Sequence, residues 1–304
     1  MPRANIQGIY TLDIGSLKIM RSNTRKEIRS HFQQVSTPVF WPSDLSNFVN
    51  ERRREWDESD LGVQQVVRFL LKEGVLRKAE FRSREYSPII RYLRGNPSPY
   101  ELAVSLRRDS FVCHRTALTL HDLEPPTTTI YVNKEQGPKP TPEGLTQEGI
   151  NRAFKNEQRQ SNYIFRYEGW KFVLISGKNT GEAGVILMRA PDGAAVNATD
   201  LERTLIDIVV RPAYAGGLKR VLSVYKRAVP RIDVEHMISL IHKLDYAYPY
   251  HQSIGFLLQH AGRPERDCEK FKDFGLDFDF FLDYGLERPA YDRNWRLYYP
   301  PRMA

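Results

Sequence analysis

The chain has 304 residues, 41% hydrophobic, 12% aromatic and 27% charged, enough for two domains with cores of their own and too apolar for wholesale disorder. Its net charge of +8 favours an acidic partner, nucleic acid or an anionic surface, without choosing between them. A signal-like apolar run in the first twenty residues and a membrane-length apolar stretch are both missing, and only Cys113 and Cys268 are present, which excludes a disulfide framework or cysteine-rich zinc site and predicts a soluble, cytoplasmic protein.

Residues 1–20 read as an N-terminal extension. "SNTRKEIRSHFQQV" (Ser22 to Val35) places Ile28, Phe32 and Val35 at helical spacing behind an Asn23 or Thr24 cap. In "TPVFWPSDLSNFVNE" Ser43 can cap a second helix striped by Leu45, Phe48 and Val49. A third helix gathers Val63, Val66, Val67 and Leu70 on one side and Gln64, Gln65, Arg68 and Lys72 opposite. Gly74 stops it, "VLRKAEF" alternates as a strand, "RSREYSP" turns, and "IIRYLR" returns. Three helices followed by a basic hairpin predict a winged helix-turn-helix over 21–95. Between Arg21 and Arg94 there are 15 Lys and Arg against 10 Asp and Glu, so the cationic excess falls within this region.

"GNPSP" (Gly95 to Pro99) reads as a hinge. Beyond it, 96–304 predicts an α+β domain: a mixed, largely antiparallel sheet followed by a helical bundle. Ser98 and Glu101 form a capping box, with Pro99 at the first helical position. A helix around "CHRTALTLHDL", a strand at "TTTIYVN", a loop at "EQGPKPTPEG" and a hairpin turning at Glu168-Gly169 follow, and "GVILMRAPDGAAVN" adds a further strand and turn. "TDLERTLIDIVVRP" predicts a helix with a Thr199–Glu202 capping box and Leu201, Leu205, Ile208 and Val209 on one face. Helices are then expected near Leu218–Val229, Val234–Leu244 and Tyr250–His260, before an acidic tail from Phe271 to Glu287.

For the third helix, glutamines beside Arg and Lys suit base edges and phosphates. Placed after two short helices and before a wing, they read as DNA-contacting residues. Arg82 and Arg84, in the wing turn, would reach a neighbouring groove or its phosphates. Arg52, Arg53 and Arg54 lie in the connector "ERRREWDESD", where phosphate contact and a self-neutralising surface loop remain equal alternatives. "ISGKNTGEAG" fails the phosphate-loop pattern, because no Gly-Lys-Ser/Thr closes it. His114 and His121 are too far apart for paired ligation and read as structural. Asp277, Asp279 and Asp283 fit a half-buried strand or the cation site of a nuclease or nucleotidyltransferase, and that metal-dependent enzyme is the rival reading.

Several stretches together resemble the AbiEi-type antitoxins and transcriptional regulators of type IV toxin-antitoxin systems: "YELAVSLRRDSFVCHRTALTLHDL", "TIYVNKEQ", "LISGKNTGEAGV", "ATDLERTLIDIVVRPAYAGG" and "FLDYGLERPAYDRNWRLYYP". The resemblance covers nearly the whole chain after Arg21. It implies an N-terminal winged helix that represses its own operon and a C-terminal domain that opposes a nucleotidyltransferase-like toxin. Gln64, Gln65, Arg68 and Lys72 take the reading role and Arg82 and Arg84 the wing role, with no catalytic residue, cofactor or metal. The implied partners are double-stranded operator DNA, with two copies on an inverted repeat geometrically natural, and the toxin. A stand-alone regulator without a toxin is the third reading.

Overall fold

The computed structural model describes residues 20–56, 60–138 and 144–301. The expected extension 1–20 therefore lies almost wholly outside the described residues, as do parts of the 51–60 connector and of the "EQGPKPTPEG" loop. The protein is mixed α+β. It divides into two compact units, one holding the described residues up to Ala79 with Ile90–Asn96, the other Glu80–Ile89 with those from Pro97 onward.

The first unit runs α1 (Ser22–Gln34), β1 (Val39–Phe40), α2 (Pro42–Arg52), α3 (Val63–Lys72), then the greater part of strands β2 (Arg77–Phe81) and β3 (Ile89–Leu93), in a sheet of order β1-β3-β2. This is the element order and sheet order of a winged helix-turn-helix. The apolar stripes meet in one core, where Ile28, Phe32, Leu45, Val49, Val66 and Leu70 are buried. Trp56 closes it against Phe48, at 5.6 Å between ring centroids. Gly74 adopts φ +67° after α3, a left-handed conformation that costs glycine nothing.

Local capping differs from expectation. Arg21, not Asn23 or Thr24, is the N-cap of α1, and Thr24 is buried. α2 begins before Ser43: Pro42 takes the first helical position and Asp44 accepts from the Trp41 backbone N–H at 2.9 Å. A proline pre-set for helical φ wins over a serine one residue later. β1 was not foreseen, because two residues show no periodicity.

The second unit contains α4 (Pro99–Ser105), β4 (Ser110–Val112), α5 (His114–Leu120), β5 (Thr129–Glu135), α6 (Gln147–Phe154), β6 (Ile164–Tyr167), β7 (Trp170–Gly177), β8 (Val185–Arg189) and β9 (Ala195–Thr199). Helices α7 (Leu201–Val210), α8 (Leu218–Ala228), α9 (Val234–Leu244), α10 (Tyr250–His260) and α11 (Glu265–Glu269) follow, and strands β10 (Phe280–Phe281), β11 (Ala290–Asp292) and β12 (Leu297–Tyr299) close the chain. The main sheet has the order β6-β7-β5-β4-β9-β8. The strand pairs β5·β7 and β4·β9 are parallel and the other three, including the central β4·β5, antiparallel, a mixed sheet as expected.

The Ser98 box forms as expected: its hydroxyl accepts from Tyr100 N–H at 3.1 Å and Glu101 accepts from Ser98 N–H at 2.9 Å. The β6–β7 hairpin turns at Glu168 and Gly169, both at positive φ, the geometry of a two-residue turn that matches strand twist. The α7 box does not form as expected. Thr199 ends β9, Asp200 caps the helix by accepting from Arg203 N–H at 2.7 Å, and Glu202 accepts from Asp233 N–H at 2.8 Å. The main core gathers around α7, α8, α9 and α10.

Candidate functional site

α3 shows what its pattern dictates. Val66, Phe69 and Leu70 are buried, Val63 and Val67 pack against them half-buried, and Gln64, Arg68 and Lys72 are exposed. The three polar side chains follow one another at i, i+4 and i+8, so they form a single stripe. Among the described residues none of them makes a hydrogen bond or ion pair. Gln65 has a different job: its Oε1 accepts from Gly62 N–H at 2.9 Å, satisfying one of the unpaired donors at the start of the helix. The C-terminal end is tied to α1 by an Arg29–Glu73 ion pair.

The wing departs further from the sequence reading, which placed the whole hairpin in 21–95. Its tip, Glu80–Ile89, belongs to the second unit. Arg82 N–H donates to Arg166 O at 3.0 Å and Arg166 N–H to Arg82 O at 2.8 Å, which extends the main sheet beyond its β6 edge. Phe81 is buried against Tyr167 and Phe172, at 4.8 and 5.4 Å, and Tyr86 donates to Asn162 Oδ1 at 2.9 Å. An edge strand offers unpaired backbone groups along its length, and the tip occupies those of Arg166. Arg82 pairs with Glu80 at 3.0 Å, yet its side chain and that of Arg84 stay exposed. Both line a groove of about 660 Å³ with Arg166 and Trp170.

The arginine triplet is split. Arg52 ends α2, half-buried, with its guanidinium 5.9 Å from the Phe48 ring centroid. Arg53 and Arg54 follow in turns and are exposed. His31, stacked on Phe48 at 4.2 Å, has its pKa lowered by burial and by the Arg52 charge.

A second site was not legible in the sequence. α7 is buried on every side from Leu201 to Val209, and its charges are paired internally. Arg203 Nε donates to Asp207 at 2.9 Å, with 3% and 6% of the side chains exposed, and its Nη1 donates to Ala183 O at 2.5 Å. Burial disfavours the Arg203 charge, but the adjacent Asp207 carboxylate more than offsets this and raises its pKa. The signal available beforehand was that "LERTLIDIVV" has apolar residues at nearly all helical angles, which leaves no solvent face for Arg203 and Asp207.

Beside this pair lies a cavity of about 340 Å³, lined by His114, Asn133, Lys178 and Arg211 among others, and walled by Tyr246, Tyr248, Tyr250 and Tyr284. His114 is 4% exposed, sits at φ +50° and has no partner for Nδ1. Burial, with Arg211 and Arg203 adding to it and Asp207 opposing, pushes its pKa down to about 4, so the imidazole is neutral at pH 7. Asn133 Oδ1 is likewise buried without a partner. Each such atom costs about 1–3 kcal/mol, and a non-glycine residue at positive φ a similar amount. Both histidines read as structural are buried, as expected; His121 is also hydrogen-bonded, with its Nε2 2.9 Å from Thr199 O, whereas His114 Nδ1 has no partner.

One group with metal-ligand proximity occurs among the described residues: Asp200, Glu202 and His236, with their ligand atoms within 4.8 Å of one another. Their oxygens are engaged in holding the starts of α7 and α9, and His236 Nε2 lies 2.9 Å from Asp200 Oδ2. Helix N-termini carry partial positive charge, a setting that favours the carboxylates and opposes a cation. Asp277, Asp279 and Asp283 form no such group. Asp279 accepts from Tyr291 at 2.6 Å and from Arg296 at 2.9 Å; burial raises its pKa, but these bonds outweigh it and leave it lowered.

Comparison with known proteins bears on the fold alone. No protein-family model and no curated protein matches the chain. A crystal structure of the RV2827C protein from Mycobacterium tuberculosis is similar over 92% of this chain and 92% of its own, with a TM-score of 0.52 and 13% identity. At that identity the likeness extends to the path of the chain and not to residue chemistry.

Proposed function

We propose that this protein is a DNA-binding transcriptional repressor and the antitoxin of a type IV toxin-antitoxin system, with the first unit reading operator DNA and the second opposing a nucleotidyltransferase-like toxin. The observation that carries the DNA-binding half is the outward stripe of Gln64, Arg68 and Lys72 on the third helix of a winged helix-turn-helix. Arg68 can pair bidentately with guanine and Gln64 with adenine, while Lys72 neutralises a phosphate. Gln65 keeps its capping role and contributes to helix placement. Arg82 and Arg84 act as exposed cations on an anchored turn rather than as a freely inserting wing. The antitoxin half rests on the resemblance of the second unit's sequence.

Fluorescence anisotropy of the full chain on its own upstream DNA and on a scrambled duplex tests the first half. A preference of roughly a thousandfold at physiological salt is expected, and equal affinity for both duplexes would overturn sequence-specific repression. Growth rescue on co-expression with the neighbouring gene tests the second half. The full chain is required, because removing residues before 96 would also strip Glu80–Ile89 from the second unit.

A further inference from the structure

The cavity beside α7 concentrates uncommitted polar groups in a way that packing alone does not explain. His114 and Asn133 are each 4% exposed and each presents a buried atom with no partner. Buried polar groups in folded proteins are nearly always paired, and unpaired ones mark a missing partner or a functional site. His114 is held in addition at φ +50°, and backbone strain of this kind collects where side chains are positioned for a ligand.

Charge decides the sign of the ligand. The lining cations are Arg203, Lys178 and Arg211, and the lining carboxylate is Asp207. Arg203 is committed to Asp207 at 2.9 Å, and Lys178 donates to Leu244 O at 3.1 Å and lies 3.2 Å from Asp245 Oδ2. Arg211 is half-buried, and its guanidinium makes no hydrogen bond or ion pair among the described residues. The result is a net positive cavity with one cationic fork to spare. A guanidinium fork matches the paired oxygens of a phosphate or carboxylate. At about 340 Å³ the space is at the small end for ligand pockets, and the tyrosine walls suit a compact molecule with a flat or apolar portion.

We propose that this cavity binds a small oxyanion-bearing ligand, with Arg211 taking the oxyanion and Asn133 and His114 pairing with the polar remainder. The site lies wholly within the second unit and does not rest on the DNA-binding reading.

Isothermal titration of the full chain, without DNA, against inorganic phosphate, AMP and glutamate is the test. Saturable binding of phosphate and AMP assigns a phosphate ligand, and binding of glutamate alone assigns a carboxylate. Arg211→Gln should weaken the bound probe by roughly tenfold or more while Arg211→Lys retains part of the affinity, both with an unchanged thermal midpoint in the absence of probe. In the unmodified protein the His114 ring resonances should shift along the same saturation curve, a readout that needs no variant. The proposal is overturned if none of the three probes binds up to millimolar concentration, if binding leaves the His114 ring unmoved, or if Arg211→Gln folds and binds as before.

Discussion

Helices α3 and α7 are both ten residues long, and both mix polar with apolar side chains, yet they spend their polarity in opposite ways. In α3 the apolar residues occupy one side, so Gln64, Arg68 and Lys72 are left to water and to any partner. In α7 apolar residues point in all directions, and Glu202, Arg203 and Asp207 are carried inside, where each must find a protein partner. Charge on a helix is thus exposed to solvent in one setting and part of the scaffold in the other. What separates them is the angular spread of the apolar residues around them, which sets whether a side of the helix is left for water. Substitutions should therefore act on stability in α7 and on binding in α3.

The largest effect is expected at the buried pair. Asp207→Ala leaves Arg203 charged and uncompensated in the interior, which should destabilise the second unit by about 3–5 kcal/mol, measurable by chemical denaturation. A loss below 1 kcal/mol would mean that water reaches Arg203 and that the contrast with α3 is false. Next comes acid. His114 has a folded pKa of about 4 against an ordinary 6.5, so the unfolded chain takes up its proton first. The neutral folded form then carries no penalty above pH 6.5 and loses stability as pH falls from 6.5 towards 4, by roughly 3 kcal/mol in total. Denaturation midpoints across that window should show the decline, and His114→Gln should flatten it; an unaltered acid limb in that variant would remove His114 as its cause.

Effects in α3 should be smaller and confined to binding. Arg68→Ala should cost about 1–3 kcal/mol of discrimination at one base pair while shifting stability by no more than about 0.5 kcal/mol, as for other unpartnered surface positions. Loss of affinity spread evenly over all sequences would reassign Arg68 to a phosphate. Lys72→Ala is the mildest: a uniform weakening, with the slope of log affinity against log salt reduced by about 1. An unchanged slope would place Lys72 outside the contact surface.

Much of the first unit was readable because its helices are amphipathic and its ends are marked. Ile28 and Phe32, or Leu45, Phe48 and Val49, repeat at helical spacing and are buried as that spacing requires. In the second unit α8, α9 and α10 fall close to their expected bounds, with Pro230 and Pro249 punctuating the breaks between them. Short strands such as β1 and β4 escaped notice, being too brief for alternation to show. The polar stripe of α3 was legible in part: Gln64, Arg68 and Lys72 emerge on one exposed face, while Gln65 is diverted to the helix start by a backbone donor that composition does not reveal. Arg84 lies in the bend between β2 and β3 as expected, but Arg82 is bridged to Arg166, eighty-four residues away, and that pairing has no local signature.

Periodicity, capping chemistry and the punctuation of glycine and proline are local properties, and from them the sequence alone determined most of the helices, though not α6 or α11, together with the hairpins, the α+β class and the outward face of α3. Which edge strand would receive the wing tip, and which side chains would surround one cavity, depended on contacts between residues far apart in the chain. His114, Asn133 and Arg211 come together only when β5, α5 and the end of α7 are stacked. Their burial, strain and missing partners are properties of that stacking, and only the tertiary structure could decide them.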